Sequence, residues 1–392
     1  MIFRLLLPAL LALCLFAFPP LAVQAAGQAP AAQDSVFPTT PKARPDGKRW
    51  RIGYVDGGDY ADYPLTLDAI VDGLQRLGWL TTTSDVPERL SSRDLWTWLS
   101  KNIKSDTLEF VQDAWWQPGN FDAGKREAVR TAIADRIRQR GDVDLVIAMG
   151  TWAGQDMRAI GPPVPTIVGS TSDPLAAGIV DSAQDSGRDN LHARIEPDRY
   201  QRQVRLFREI VPFKKLGIVY EDSEAGRTYA AVDAVEQVGK ELGFAVQHCH
   251  AQSSSVSTET AIANALQCYR DLAQQRVDAV YVTTHRGVTL DSISDIAKAL
   301  RQAKIPSFSM AGSRDVERGI LLSLAQADLS YVGLFHAETI ARIFNGAKAR
   351  QLSQLWVDPP KIALNLATAR IIGFDPPVDI LLAADEVYEA DR

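Results

Sequence analysis

Gly150-Thr151-Trp152 lies between an apolar run and a helical pattern, and that junction is where this sequence could first do chemistry. The amides at Thr151–Ala153 of a helix beginning there have no intrahelical partner. They offer donors and a dipole to an anion, worth roughly 0.3–1 kcal/mol before specific hydrogen bonds. Thr151 either caps its helix or touches the ligand, and both roles can hold at once. EDSEAGRTY (221–229) repeats the device: Ser223 or Glu224 caps a helix starting near Ala225. Arg227, if turned inward, supplies a fork for a carboxylate or phosphate; the solvated helix face is its default place. Asp173 in STSDP (170–174) either accepts an ammonium group or organises its own turn. Gly57-Gly58 let the backbone approach a neighbour closely, and Asp59, Tyr60 and Tyr63 follow with polar side chains. Trp115 and Trp116 are expected on a loop, one indole at a cleft against a ring-shaped ligand and the other in the core.

Catalytic constellations fail on inspection. GxSxG, Walker A and GxGxxG are all missing from the sequence. The histidines are His192, His248, His250, His285 and His336; His248 and His250 share a strand face but lack a third ligand, so they read as surface residues rather than a metal pair. No catalytic residue, metal or cofactor is expected. The formal net charge is −6, and residues 1–25 hold one positive and no negative charge, so removing them gives −7. Without a basic run there is no support for nucleic-acid or anionic-membrane binding.

The elements that must position these residues follow from four apolar runs, each ending in a small polar turn before a helix: 51–60, 144–155, 216–229 and 278–289. Continuous Val/Ile/Leu runs alternating with helices imply parallel sheets, with ligands beyond the carboxyl ends of the strands. Strands are expected near 50–56, 107–112, 143–149, 164–169, 214–220, 244–250, 277–283 and 304–309. Helices are expected near 65–77, 92–103, 124–140, 152–160, 198–211, 226–242, 257–275 and 288–303. Residues 1–25 read as a secretory leader: Arg4, the apolar Leu5–Phe18, and Val23-Gln24-Ala25 before a cut at Ala26. The apolar run falls short of the ~20 residues a membrane span needs. Residues 26–47 read as a flexible tether. About 345 residues remain, a length for two domains. Cys249 and Cys268 either pair, closing a loop worth about 3 kcal/mol, or stay as two buried thiols.

STSDPLAAGIV (170–180), LFREIVPFKKLGIVY (206–220), VDAVYVTTHRGV (277–288) and NLATARIIGFDPPVDILLAADEV (365–387) together resemble the ABC-transporter substrate-binding proteins that include tryptophan- and tyrosine-binding members. The resemblance runs from about Arg51 to Tyr388. It implies an α/β type I periplasmic binding protein: two Rossmann-like lobes with parallel sheets, joined by three hinge crossovers at 191–197, 321–328 and about 356–360. Lobe one would be 48–190 plus 328–348, and lobe two 191–327 plus 349–392. In that family the segment matching Thr151 helps hold a ligand carboxylate. Trp152, Thr171, Tyr220 and Asp328 complete the expected ligand contacts with the residues above. Three places depart from the pattern. Tyr63-Pro64 stands where relatives often have His-Pro, Arg227-Thr228 where they carry Asn-Ser, and His285 where they usually carry aspartate. His285 removes an anion and adds a group titrating near neutrality, which argues against an ordinary α-amino acid as ligand and for affinity that varies between about pH 5 and 8. The expected protein is a monomeric, periplasmic solute-binding protein that hands a small carboxylate-bearing, amino-acid-like or aromatic ligand to an ABC permease, with no membrane insertion after cleavage. The alternative is a periplasmic module that reports ligand occupancy to a membrane sensor.

Overall fold

The computed structural model describes residues 36–82, 86–87, 90–325, 329–357 and 361–390. The proposed leader, residues 26–35 of the tether and Asp328 lie outside them. Two sheets carry the fold. The first contains β1 (Trp50–Asp56), β4 (Leu108–Trp116), β5 (Leu145–Met149), β6 (Thr166–Gly169) and β7 (Leu191–Ala193), with a small flanking pair β2 (Thr81–Thr82) and β3 (Ile103–Lys104). Its order is β4-β1-β5-β6-β7, parallel throughout. Every residue of β5, LVIAM, is buried, as a strand covered by helices on both faces must be.

The second sheet contains β8 (Lys215–Tyr220), β9 (Ala245–His250), β10 (Ala279–Val282), β11 (Ser307–Ser309), β12 (Leu322–Ala325), β13 (Lys361–Asn365) and β14 (Ala384–Tyr388). The order is β14-β13-β12-β11-β10-β8-β9, and only the β12–β13 pairing is antiparallel. Two parallel-sheet lobes of this kind make the protein an α/β type I periplasmic binding protein fold.

The chain leaves the first sheet after Ala193, the last residue of β7, which pairs with β6. Beyond that crossing Ile195 bridges Leu355 of a returning segment, with Ile195 N–H donating to Gln354 O (2.7 Å) and Trp356 N–H to Ile195 O (2.9 Å). Two crossings therefore run side by side as a short ribbon. The helix Ser330–Phe344 returns to the first lobe and packs on the helix Asp62–Arg76; Gly333 allows this, since a Cβ there would overlap the Ala69 carbonyl.

The lobe-two helix expected at 226–242 breaks in two, Glu224–Tyr229 and Val232–Leu242, with Ala231 at φ 49° between them. Cys249 and Cys268 form a disulfide tying β9 to the helix Thr258–Gln274. Trp115 and Trp116 do not sit on a loop. β4 extends through both, and strand alternation sends them to opposite faces. Trp115 packs on the core with Trp96 and Phe110 and lies under Arg93, while Trp116 packs with Ile133 and Ile137 and lies under Arg136. Among the described residues no helix is long and apolar enough to cross a membrane.

Candidate ligand site

A cavity of about 260 Å³ opens between the carboxyl ends of the two sheets. It falls just below the roughly 300–1,000 Å³ typical of small-molecule pockets, room for a monomer and not a polymer. Six rings line its wall among many serines and threonines: Tyr60, Tyr63, Phe121 and Trp152 from the first lobe, Tyr200 and Tyr229 from the second. Tyr60 meets Tyr63 edge-on at 5.2 Å between centroids, and Phe121 meets Trp152 edge-on at 5.6 Å.

Local sequence explains how the rings get there. Gly119, Asn120 and Phe121 all have positive φ (60°, 58° and 62°), a sharp turn that swings Phe121 back over the Gly57-Gly58 backbone. A side chain on Gly58 would strike the Phe121 ring, and Phe121 N–H donates to Gly57 O (2.6 Å). The close approach expected of Gly57-Gly58 is thus to Phe121. A bulky residue in the left-handed region is strained, and such strain gathers at functional sites. Gly150 plays the same part for Tyr63: at φ 87°, its missing Cβ leaves room for the Tyr63 hydroxyl.

The expected residues divide. Tyr60, Tyr63, Thr151, Trp152, Thr171, Ser223 and His285 line the cavity. Thr151 does not cap the helix Thr151–Ile160; Gly150 is the N-cap, and the buried Thr151 is the first helical residue. Ser223, not Glu224, caps the second-lobe helix, its Oγ accepting from Gly226 N–H at 3.0 Å, but that helix is only six residues long. His285 engages backbone on both ring nitrogens. Nδ1 accepts from Gly287 N–H (2.9 Å), which leaves the proton on Nε2 to donate to Ala251 O (2.9 Å). Burial lowers its pKa, against a backbone hydrogen bond to Ala251 and the nearby Glu221 carboxylate, which raise it.

The other expected residues lie elsewhere. Asp59 is exposed, with its N–H donating to Asn120 Oδ1. The Asp173 carboxylate accepts from Leu175 N–H (3.0 Å) and Ala176 N–H (2.9 Å), so it organises its turn. Tyr220 is buried behind β9, its hydroxyl between His248 (3.2 Å) and His250 (3.1 Å). Glu224 is exposed, and Arg227 turns to Asp233 (2.6 Å) and Glu236 (3.3 Å). Neither Trp115 nor Trp116 lines the cavity, and Asp328 is outside the described residues.

The charges that do line it went unread in the sequence. Arg126 lies 4.4 Å over the Trp152 ring and holds the buried Asp156 with two hydrogen bonds (2.8 and 3.2 Å). Asp62 pairs with Arg314 of the other lobe. Arg194 and Arg199 each lie 3.7 Å from Glu196. Glu221 accepts from Ser253 Oγ (2.5 Å), Ser254 N–H (2.9 Å) and Ser254 Oγ. Burial opposes ionisation there, but these hydrogen bonds outweigh it and hold Glu221 below the usual carboxylate range. Arg286 donates to Ser253 O (2.5 Å), Val256 O (2.8 Å) and Thr258 Oγ1 (3.0 Å). Glu221 ends a run already identified and Arg286 follows His285, so position alone could have flagged both. Phe121, Tyr200 and Arg126 had no such signal. Among the described residues no cluster of His, Cys, Asp or Glu could hold a metal ion.

Residues 117–388 match the family described as ABC transporter substrate binding protein. The chain is 23% identical over 246 residues to the tyrosine-binding protein of Clostridioides difficile (strain R20291), covering 62% of this chain and 66% of that one, just under two thirds. Among solved structures it is similar to the ABC domain from Streptococcus pneumonia in complex with L-Trp, with a TM-score of 0.66 at 19% identity, covering 87% of this chain and 100% of that one. It is also similar to a solute binding protein of an ABC transporter from Rhodopseudomonas palustris BisB5 in complex with 3,4-dihydroxy benzoic acid (TM-score 0.51, 10% identity, 81% of this chain and 93% of that one). At such identities the structural likeness is one of fold.

Proposed function

The chain belongs to the ABC transporter substrate-binding protein family, and on that premise we propose that its cavity captures a small organic ligand with a carboxylate and a flat or ring-shaped body, for delivery to an ABC permease. The family is one of binding proteins, not of enzymes. One observation carries the ligand class: six aromatic rings from both lobes line a cavity of about 260 Å³. The helix Thr151–Ile160 ends there with amides that suit the anionic end of such a guest. A relative named as a tyrosine-binding protein and similar folds solved with L-Trp and with 3,4-dihydroxy benzoic acid support that body and that end. Tyr60, Tyr63, Thr151, Trp152, Thr171 and Ser223 are the expected residues that serve the reading; Phe121, Tyr200 and Tyr229 join them.

The protein acts outside the cytoplasm, with residues 1–25 as a cleaved leader and Ala26 as the mature N-terminus. Native mass spectrometry of protein purified from periplasmic extract without refolding tests both claims. The expected result is a mature chain beginning at Ala26 that carries a small aromatic or amino-acid-like carboxylate. An uncleaved chain found only with membranes would refute export. A chain that carries nothing and is not stabilised by any amino acid or aromatic acid would refute the ligand class.

A further inference from the structure

Of the charged side chains among the described residues lining the cavity, Asp62, Arg126, Arg194 and Arg199 stand in ion pairs, whereas Glu221 and Arg286 do not. The two come from the ends of β8 and β10, adjacent strands of one sheet. An anion and a cation so placed ordinarily pair with each other. Here one serine separates them: Ser253 gives its hydroxyl to Glu221 and its carbonyl to Arg286. Every remaining hydrogen-bond partner of either side chain is neutral: Ser254 for Glu221, Val256 and Thr258 for Arg286.

Arg286 is only 8% exposed, and its Nε–H has no partner. A guanidinium cannot shed its charge, and a buried cation served only by neutral acceptors gains from any anion brought to it. Glu221 is the matching half. Asp173 spends its carboxylate on its own turn and Asp62 on Arg314, which leaves Glu221 as the cavity's unpaired anion among the described residues.

We propose that Glu221 and Arg286 read the two charges of a dipolar ligand, Arg286 its carboxylate and Glu221 its cationic nitrogen. The inference rests on the ligand class proposed above and adds two things to it: the cation, and Arg286 as a carboxylate donor besides the amides at the start of the helix Thr151–Ile160. It places the ammonium-reading anion directly after β8, while both ring nitrogens of His285 engage backbone.

The test is isothermal titration of the mature protein with three probes of one ring body: L-tyrosine, 3-(4-hydroxyphenyl)propionate, which lacks the nitrogen, and tyramine, which lacks the carboxylate. A second set has an indole body. Wild type is expected to bind one of the amino acids about tenfold or more tighter than its deaminated partner, the strength of one charge-assisted hydrogen bond. Glu221→Gln should abolish that preference while leaving the deaminated acid within about threefold of wild type. Arg286→Met should weaken both carboxylates about tenfold or more and spare the amine. If Arg286→Met melts far below wild type without ligand, Arg286→Lys replaces it; keeping the charge but not the fork, it should lose less. Wild type that binds the deaminated acid as tightly as the amino acid overturns this inference and leaves the ligand class standing. Equal losses for amino acid and deaminated acid in Glu221→Gln also overturn it. Binding of none of the six probes overturns both.

Discussion

Removing the Cys249–Cys268 cross-link tests how the cavity's second-lobe wall is held. The bond spans 19 positions and pins the strand β9 to the helix Thr258–Gln274. Between them runs the segment carrying Ser253 and Ser254, which hold Glu221, and the Ser253 and Val256 carbonyls, which hold Arg286. On the chain-entropy relation, closing a loop of this size removes about 11 cal/mol/K from the unfolded ensemble, or about 3 kcal/mol at 25 °C. For a cooperative unit of 150–250 residues each kcal/mol moves the melting temperature by roughly 2–4 °C, so about 6–12 °C is at stake. The assay is thermal unfolding followed by circular dichroism on oxidised wild type, wild type reduced with a phosphine, and Cys249→Ala/Cys268→Ala. Reduced wild type isolates the cross-link, because it opens no space beside the buried Cys268. Both perturbed forms should melt lower by the stated amount. A shift below about 2 °C on reduction would show that the unfolded lobe is restrained by something else, and two titratable thiols in the native oxidised protein would show that the bond does not form.

Two further outcomes follow from buried groups. Asp56 is 1% exposed, accepts from Gln117 Nε2 (2.9 Å) and is pushed up to about 7 by burial. Its unfolded value is about 3.9, so the unfolded chain ionises first and stability falls as pH rises from about 4 to about 7. Asp56→Asn should therefore gain in melting temperature relative to wild type at pH 8 over pH 5, and parallel curves would refute the buried proton. Gly150→Ala forces φ 87° on a residue with a Cβ and drives that carbon into the Tyr63 hydroxyl. It should cost about 1–3 kcal/mol in urea unfolding and weaken ligand binding with it, while an unchanged midpoint would show that Tyr63 moves aside freely.

The strand–turn–helix units were legible in the sequence because each is local. LVIAM and KLGIVY are continuous apolar runs that only a sheet covered on both faces can bury, and the helical stretches between them follow their own short-range period. The turns that would face a ligand came with them, and seven of the residues named there do line the cavity. What sequence leaves open is the direction of a side chain and the partner it meets across the fold. Trp115 and Trp116 read as a loop pair, yet a strand that runs four residues past the expected end at 112 sends one to each face of the sheet. Arg227 and Asp173 are the right chemistry in the right turns, but Asp233 and two backbone amides reach them first. Arg286 drew no reading in the sequence; only the packing of the loop after β9 against it shows a buried cation hydrogen-bonded to neutral acceptors alone. Hydrogen-bond competition is settled by distance in three dimensions, and residues 33 positions apart, such as Ser253 and Arg286, become neighbours only when the second sheet is assembled.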